Sequence, residues 1–119
     1  MWEMNNSKPI YMQIVDRIKL DIISGHYKPG DKLPSVRELA SEAAVNPNTM
    51  QKALSTLETT ELIYTNRTSG RYITEDVCKI QELKNELASQ YCTDFIQNVR
   101  YIGLDDDSIF DILKQHLEN

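Results

Sequence analysis

Two helix starts stand eleven residues apart in this chain, leaving room for one short helix, one tight turn and little else. The first is Ser35-Val36-Arg37-Glu38, preceded by Pro34. Ser-x-x-Glu is a capping box, in which hydroxyl and carboxylate satisfy two backbone N–H groups reciprocally. Val36, Leu39, Ala40 and Ala43 then fall on one face at helical spacing. Arg37 points away from that face, in a first turn where a cation opposes the helix dipole. That mismatch suggests an outside partner such as a phosphate or a base edge. The second start is Asn46-Pro47: Asn is a preferred N-cap, and Pro suits the first helical position.

In the second helix Met50, Ala53, Leu54 and Leu57 form the apolar face. At about 100° per residue, Asn48, Lys52, Ser55 and Thr59 point the opposite way. Thr49 and Gln51 sit on the shoulders, and the stripe carries no carboxylate before Glu58. Asn and Gln pair with adenine edges in a major groove, Lys with guanine or phosphate. Taken alone, the same stripe also suits a merely solvated helix face. The residues that follow decide between the two. Leu62-Ile63-Tyr64-Thr65 and Arg71-Tyr72-Ile73-Thr74 read as strands around a turn at Asn66–Gly70, with Arg67 at the tip and Arg71 at the base. Two helices and a tight turn followed by a basic hairpin make a winged helix-turn-helix.

These residues resemble the GntR family of bacterial transcription regulators. The resemblance runs from about residue 8 to 76. It is carried by Pro9-Ile10-Tyr11-x-Gln13-Ile14, by Ser24-Gly25-x-Tyr27-Lys28-Pro29-Gly30-Asp31-Lys32-Leu33-Pro34-Ser35-Val36-Arg37-Glu38-Leu39-Ala40, and by Val45-Asn46-Pro47-Asn48-Thr49, Ala53-Leu54, Leu57-Glu58 and Leu62-Ile63-Tyr64. The short C-terminal part is similar to the YtrA-type subfamily, with two helices after the wing. That resemblance implies a homodimeric DNA-binding regulator, usually a repressor of its own operon, and often of one that includes transporter genes. It places DNA contacts on Ser35 and Arg37, on Asn46, Asn48, Thr49, Gln51 and Lys52, and on the wing residues Arg67, Thr68, Ser69 and Gly70. Pro47 and Gln51 stand where many members have Arg, so the operator need not be the family's usual one. Thr68 replaces a wing Gly, which works against close approach to a minor groove. Glu61 replaces the Gly that commonly ends the recognition helix, so it must accept positive φ or end the helix differently.

Before this stretch a helix is expected from Pro9 to about Ser24, with Ile10, Ile14, Ile18 and Ile22 as its stripe, broadened by Tyr11, Val15 and Ile23. Lys8, Arg17 and Lys19 read as solvated charges, and residues 1–7 as frayed. Gly25 suits a helix C-cap, and Tyr27-Lys28-Pro29-Gly30-Asp31 a turn. Lys32-Leu33 can pair with the hairpin as a short edge.

After Thr74 the spacing predicts a helix from Val77 to about Tyr101, opened by Glu75-Asp76. Ile80, Leu83, Leu87, Tyr91, Phe95, Val99 and Ile102 recur at three- and four-residue steps. Gly103 ends it, Asp105 caps a last helix, and Ile109, Ile112, Leu113 and Leu117 give that helix its stripe. A helix of about 37 Å cannot bury such a stripe on a small domain by itself. Two copies of the helical hairpin would make a bundle, so a homodimer through these helices is expected, with Ile80, Leu83, Leu87, Tyr91, Phe95, Val99, Ile109 and Leu113 at its interface. The alternative is folding back on the chain's own winged helix. The fold class is thus mainly α with a small β-hairpin: a winged helix-turn-helix over residues 1–75 and a two-helix dimerisation hairpin over 76–119.

Charge agrees with this division. The formal net charge is −5, wrong in sign for a DNA binder taken as a whole. Residues 1–74 hold nine Lys/Arg against eight Asp/Glu, and residues 75–119 four against ten, so the acidic excess lies in the tail. Double-stranded DNA is the expected partner, with a modest salt dependence. An unidentified small-molecule effector is a further expectation, although about 45 residues after the wing are few for an enclosed pocket. No stretch nears the ~20 apolar residues that span a membrane, and Met1-Trp2-Glu3-Met4 followed by Asn-Asn-Ser-Lys is no signal peptide, so the expected location is the cytoplasm. Cys78 and Cys92, about 21 Å apart along one helix, do not pair within the chain. With His26 and His116 far apart, no metal site has ligand spacing. Neither a nucleophile–base pair nor a glycine-rich phosphate loop is present, so no cofactor and no enzyme are expected. A winged helix serving protein interaction is the alternative to DNA binding.

Overall fold

A computed structural model describes residues 2–119. The elements run α1 (Ile10–Ile23), α2 (Val36–Ala43), α3 (Pro47–Glu58), β1 (Ile63–Asn66), β2 (Gly70–Ile73), α4 (Val77–Tyr101) and α5 (Asp106–Leu117). The chain forms two compact units, one ending at Glu82 and one from Leu83 to Asn119, so the division falls within α4.

In the first unit, α1 and α2 both pack on α3. Ile14, Ile18 and Ile22 of α1, Leu39, Ala40 and Ala43 of α2, and Met50, Ala53, Leu54 and Leu57 of α3 are buried together with Leu62, Ile63 and Ile73. The helical positions among these were all assigned to the apolar faces by periodicity, whereas Ile10, the first residue of the α1 stripe, is exposed and Val36 of α2 is half-buried. Among the described residues no polar or charged side chain is buried, so apolar burial carries this core, at roughly 1.5–3 kcal/mol per large side chain. The α2 capping box is complete: Ser35 Oγ accepts from the Glu38 N–H (3.1 Å) and Glu38 Oε1 from the Ser35 N–H (3.3 Å). Asn46 caps α3, its Oδ1 accepting from the Asn48 N–H at 2.7 Å.

The hairpin is antiparallel, with Ile63 opposite Ile73, Tyr64 opposite Tyr72, Thr65 opposite Arg71 and Asn66 opposite Gly70. Both strands differ from the sequence reading by one residue: Asn66 replaces Leu62 in β1, and Gly70 replaces Thr74 in β2. The cause is the turn. Asn66 Oδ1 accepts from the Thr68 N–H (3.0 Å) and hydroxyl (2.9 Å), which closes a three-residue loop over 67–69 and lets Asn66 pair with Gly70. Lys32 bridges to Tyr72, and the Leu33 N–H donates to Arg71 O at 2.9 Å, giving the expected third edge.

Two non-glycine residues have positive φ among those described: Ala44 (58°) and Glu61 (65°). Ala44 ends α2, its N–H donating to Ser41 O and that of Val45 to Ala40 O, the pattern usually closed by glycine. Glu61 accepts the left-handed conformation rather than ending the helix another way. It is also held by Lys79, whose Nζ donates to Glu61 Oε2 at 3.3 Å.

The N-terminal segment is better fixed than its polarity suggests. Met1 lies outside the described residues, but Trp2 is 6% exposed and the Arg17 guanidinium stacks over its ring at 4.9 Å. Gln13 accepts from the Asn5 N–H (3.0 Å) and donates to Asn5 O and Lys8 O, while Lys8 pairs with Asp16. The expectation of fraying overlooked these tethers to α1, which include two residues read as solvated charges.

In the second unit, α4 ends in the expected Schellman arrangement. The Leu104 N–H donates to Val99 O (3.0 Å) and that of Gly103 to Arg100 O (3.0 Å). Asp105 caps α5 through the Ser108 N–H (2.9 Å), and these Ser108 hydrogen bonds hold its carboxyl below the usual range. Arg100 pairs with Asp106 at 3.0 Å. Ile109 is buried in this unit, as Ile80 is in the first. Leu83, Leu87, Phe95 and Val99 are half-buried, and Tyr91, Tyr101, Ile102, Phe110, Leu113 and Leu117 are exposed. No helix of the described residues is long and apolar enough to cross a membrane.

Candidate nucleic-acid interface

The site grows from two helix N-termini and a hairpin tip. Asn46 uses its side-chain oxygen to start α3. That cap sets the phase at which Asn48, Gln51, Lys52 and Ser55 face away from the buried Met50, Ala53, Leu54 and Leu57. All four are exposed, and Thr49 is half-buried. Gln51 Nε2 donates to Ser55 Oγ at 3.3 Å, ordering the amide along the helix. The Lys52 ammonium lies over the Tyr11 ring of α1, 4.1 Å from its centroid.

Arg37 and Arg67 are exposed, and among the described residues neither has a carboxylate within 4 Å. An open cleft of about 650 Å³ brings Ser35, at the start of α2, together with the wing residues Arg67, Ser69 and Gly70. Lys32 and Arg71 also line it, whereas Arg37, Thr68 and the α3 residues do not. Ser69 Oγ accepts from the Tyr72 hydroxyl at 2.8 Å. Gly70 has φ +119°, and a Cβ there would meet the Lys32 side chain at 3.3 Å. Thr68 is not among the residues of positive φ, and its hydroxyl donates to Asn66 Oδ1 at 2.9 Å.

Arg71 departs from a freely basic wing. Its Nε donates to Glu58 Oε1 at 2.6 Å, and the same oxygen accepts from Thr65 Oγ1 at 2.5 Å. The Thr65 hydroxyl and then the Arg71 guanidinium hold the Glu58 carboxyl below its ordinary range, against a raising effect of partial burial. Glu58 thereby ties the end of α3 to both strands. Of the wing arginines, Arg67 keeps its charge unspent.

Sequence reasoning paired Lys32 with the hairpin but did not count it among the site residues, although it lines the cleft, and it missed the contact between Tyr11 and Lys52. Tyr11 had served only to broaden an apolar stripe. Aromatic character in the first turn of the helix that packs on α3 was the signal available.

An uncarboxylated helix edge, flanked by unpaired arginines and a wing, defines a winged-helix DNA-binding protein. The family "Bacterial regulatory proteins, gntR family" matches residues 10–73. The chain is 38% identical over 111 residues to the HTH-type transcriptional repressor YtrA of Bacillus subtilis, covering 92% of this chain and 85% of that one. A GntR family transcriptional regulator from Listeria monocytogenes is similar in structure, with TM-score 0.85, 46% identity and coverage of 94% and 98%. The AraR DNA-binding domain in complex with operator ORX1 aligns at TM-score 0.56 and 26% identity, over 62% of this chain and 93% of that one. The chain belongs to the GntR family and is a helix-turn-helix transcriptional regulator that binds DNA.

Proposed function

We propose that this chain is a repressor that binds an inverted-repeat operator as a homodimer. In this reading residues 1–75 bind DNA and residues 76–119 pair two copies. The observation that carries it is the α3 edge: Asn48, Gln51 and Lys52 are exposed on a helix whose opposite face is fully buried, and no carboxylate interrupts them before Glu58. In the reading, the first turns of α3 contact base edges in the major groove, while Arg37 and the wing set register on phosphates or enter the minor groove. YtrA, a repressor by name, supports repression. The exposed apolar side chains of the second unit support pairing, since apolar surface of this kind marks an interaction site. The cytoplasm is the place where such a protein meets its operator.

The test is selection of bound duplexes from random DNA by the purified protein. The expected result is two related half-sites in inverted order, centred about one helical turn apart. Failure to enrich any sequence, even at low ionic strength, overturns the reading.

A further inference from the structure

We infer that Tyr11 is a positioning residue for DNA recognition, its ring fixing the Lys52 ammonium on the DNA-facing edge of α3. The inference rests on the DNA-binding reading above and adds to it a residue from outside the helix-turn-helix. Tyr11 is in the first turn of α1, half-buried, and α1 packs directly on α3. Both helices are anchored close to the pair. Ile14 lies one turn on from Tyr11 and Ala53 is the residue after Lys52, and both are wholly buried. The ring and the lysine stem therefore start from fixed points.

A lysine that binds DNA faces two opposed demands. Its four-carbon stem is flexible, and ordering it on binding costs free energy. An intramolecular carboxylate would order it in advance but would neutralise the charge that DNA attracts. Several other cations of this chain take the carboxylate: Lys8, Arg17, Arg71, Lys79 and Arg100 each have one within 4 Å. Among the described residues Lys52 has none, and holds a ring centroid at 4.1 Å instead. The quadrupole of a tyrosine face attracts an ammonium without cancelling its charge. One side of the ammonium rests on the ring, and the N–H donors turned away from it remain available to a base edge or a phosphate. Lys52 is thus ordered before the duplex arrives and keeps its full charge.

The experiment is a double-mutant cycle on a duplex selected by the unaltered protein, using Tyr11→Leu, Tyr11→Phe and Lys52→Ala. Leucine keeps apolar bulk without the quadrupole, and phenylalanine keeps the ring. Tyr11→Leu is expected to weaken binding about three- to tenfold, and to cost nothing further in the Lys52→Ala background. The Tyr11→Leu salt slope should match that of the unaltered protein, because no charge is lost. With Tyr11→Phe, Lys52→Ala should cost as much as it does with tyrosine. An equal Tyr11→Leu loss with and without Lys52 would overturn the inference, since Tyr11 would then act through packing alone. A readout without DNA guards against a Tyr11→Leu variant that folds poorly. The ε-methylene protons of Lys52 should show upfield ring-current shifts by NMR in the unaltered and Tyr11→Phe proteins, and unshifted protons in both overturn the inference. If the unaltered protein binds no duplex, the DNA reading itself fails. If it binds and the cycle shows no coupling, only the role of Tyr11 fails.

Discussion

At the scale of single residues, Glu58 joins recognition helix to wing, and its ionisation sets when that joint holds. Its folded pKa lies below the ordinary 4.5. Its contribution is therefore fully present above about pH 4.5 and is lost as pH falls through the lower folded value. Urea unfolding followed from pH 7 to pH 3 should show this loss, and Glu58→Gln should flatten the corresponding part of the curve. Arg71→Ala, at neutral pH, should cost up to about 1 kcal/mol, the upper end for a partly exposed pair. Ala44 offers a change of the opposite sign. It holds φ 58° where a Cβ is strained, so Ala44→Gly should stabilise by about 0.5–1 kcal/mol, read as a raised urea midpoint with unchanged slope. Glu61→Gly should yield less, because it also removes the carboxylate that pairs with Lys79. The need for a non-glycine to accept positive φ was legible at Glu61, from its place after the helix. At Ala44 no residue type announced it, because alanine is the best of helix formers. The Glu58–Arg71 and Lys52–Tyr11 contacts were illegible for another reason: they join residues 13 and 41 positions apart, and only packing brings them together.

Whole elements were read more securely than their ends. Capping chemistry fixed where α2, α3 and α5 begin, because Ser35, Asn46 and Asp105 each supply an acceptor to a backbone N–H. Helical periodicity sorted the face of α3 correctly and that of α1 from Ile14 onward, but Ile10, at the start of the α1 stripe, is exposed. The strand ends slipped by one residue because an asparagine side chain, not the hydrophobic pattern, closes the wing. Along α4 the pattern shows which side chains are apolar but not what covers them. Leu87 and Phe95 are half-buried and Tyr91 is 57% exposed. On the homodimer reading, Leu87→Asp with Tyr91→Asp should shift the sedimentation coefficient to that of a monomer. Operator affinity should then fall by about 100-fold or more, because two linked half-sites lose their mutual reinforcement. Each altered chain should still give the far-ultraviolet helix signal of the parent. A double variant that remains dimeric would place the pairing surface elsewhere.

For the molecule as a whole, charge is the restraining quantity. Residues 1–74, which hold the helix-turn-helix and the wing, have one more base than acid, and Glu58 and Asp21 each occupy an arginine. Few cations are left to displace counterions, so log affinity against log salt should fall with a slope of only about −3 to −6 per dimer. A slope near −10 would mean that many more phosphates are contacted than Arg37, Lys52, Arg67 and Lys32 can account for. The fixed N-terminal segment has one more consequence. The chain contains a single tryptophan, Trp2, almost wholly shielded from water and lying against Arg17. The protein therefore carries a built-in optical tag at its leading edge. Its emission should lie to the blue in the native protein and move red when this segment peels off α1, signalling that local release separately from the melting of the helices.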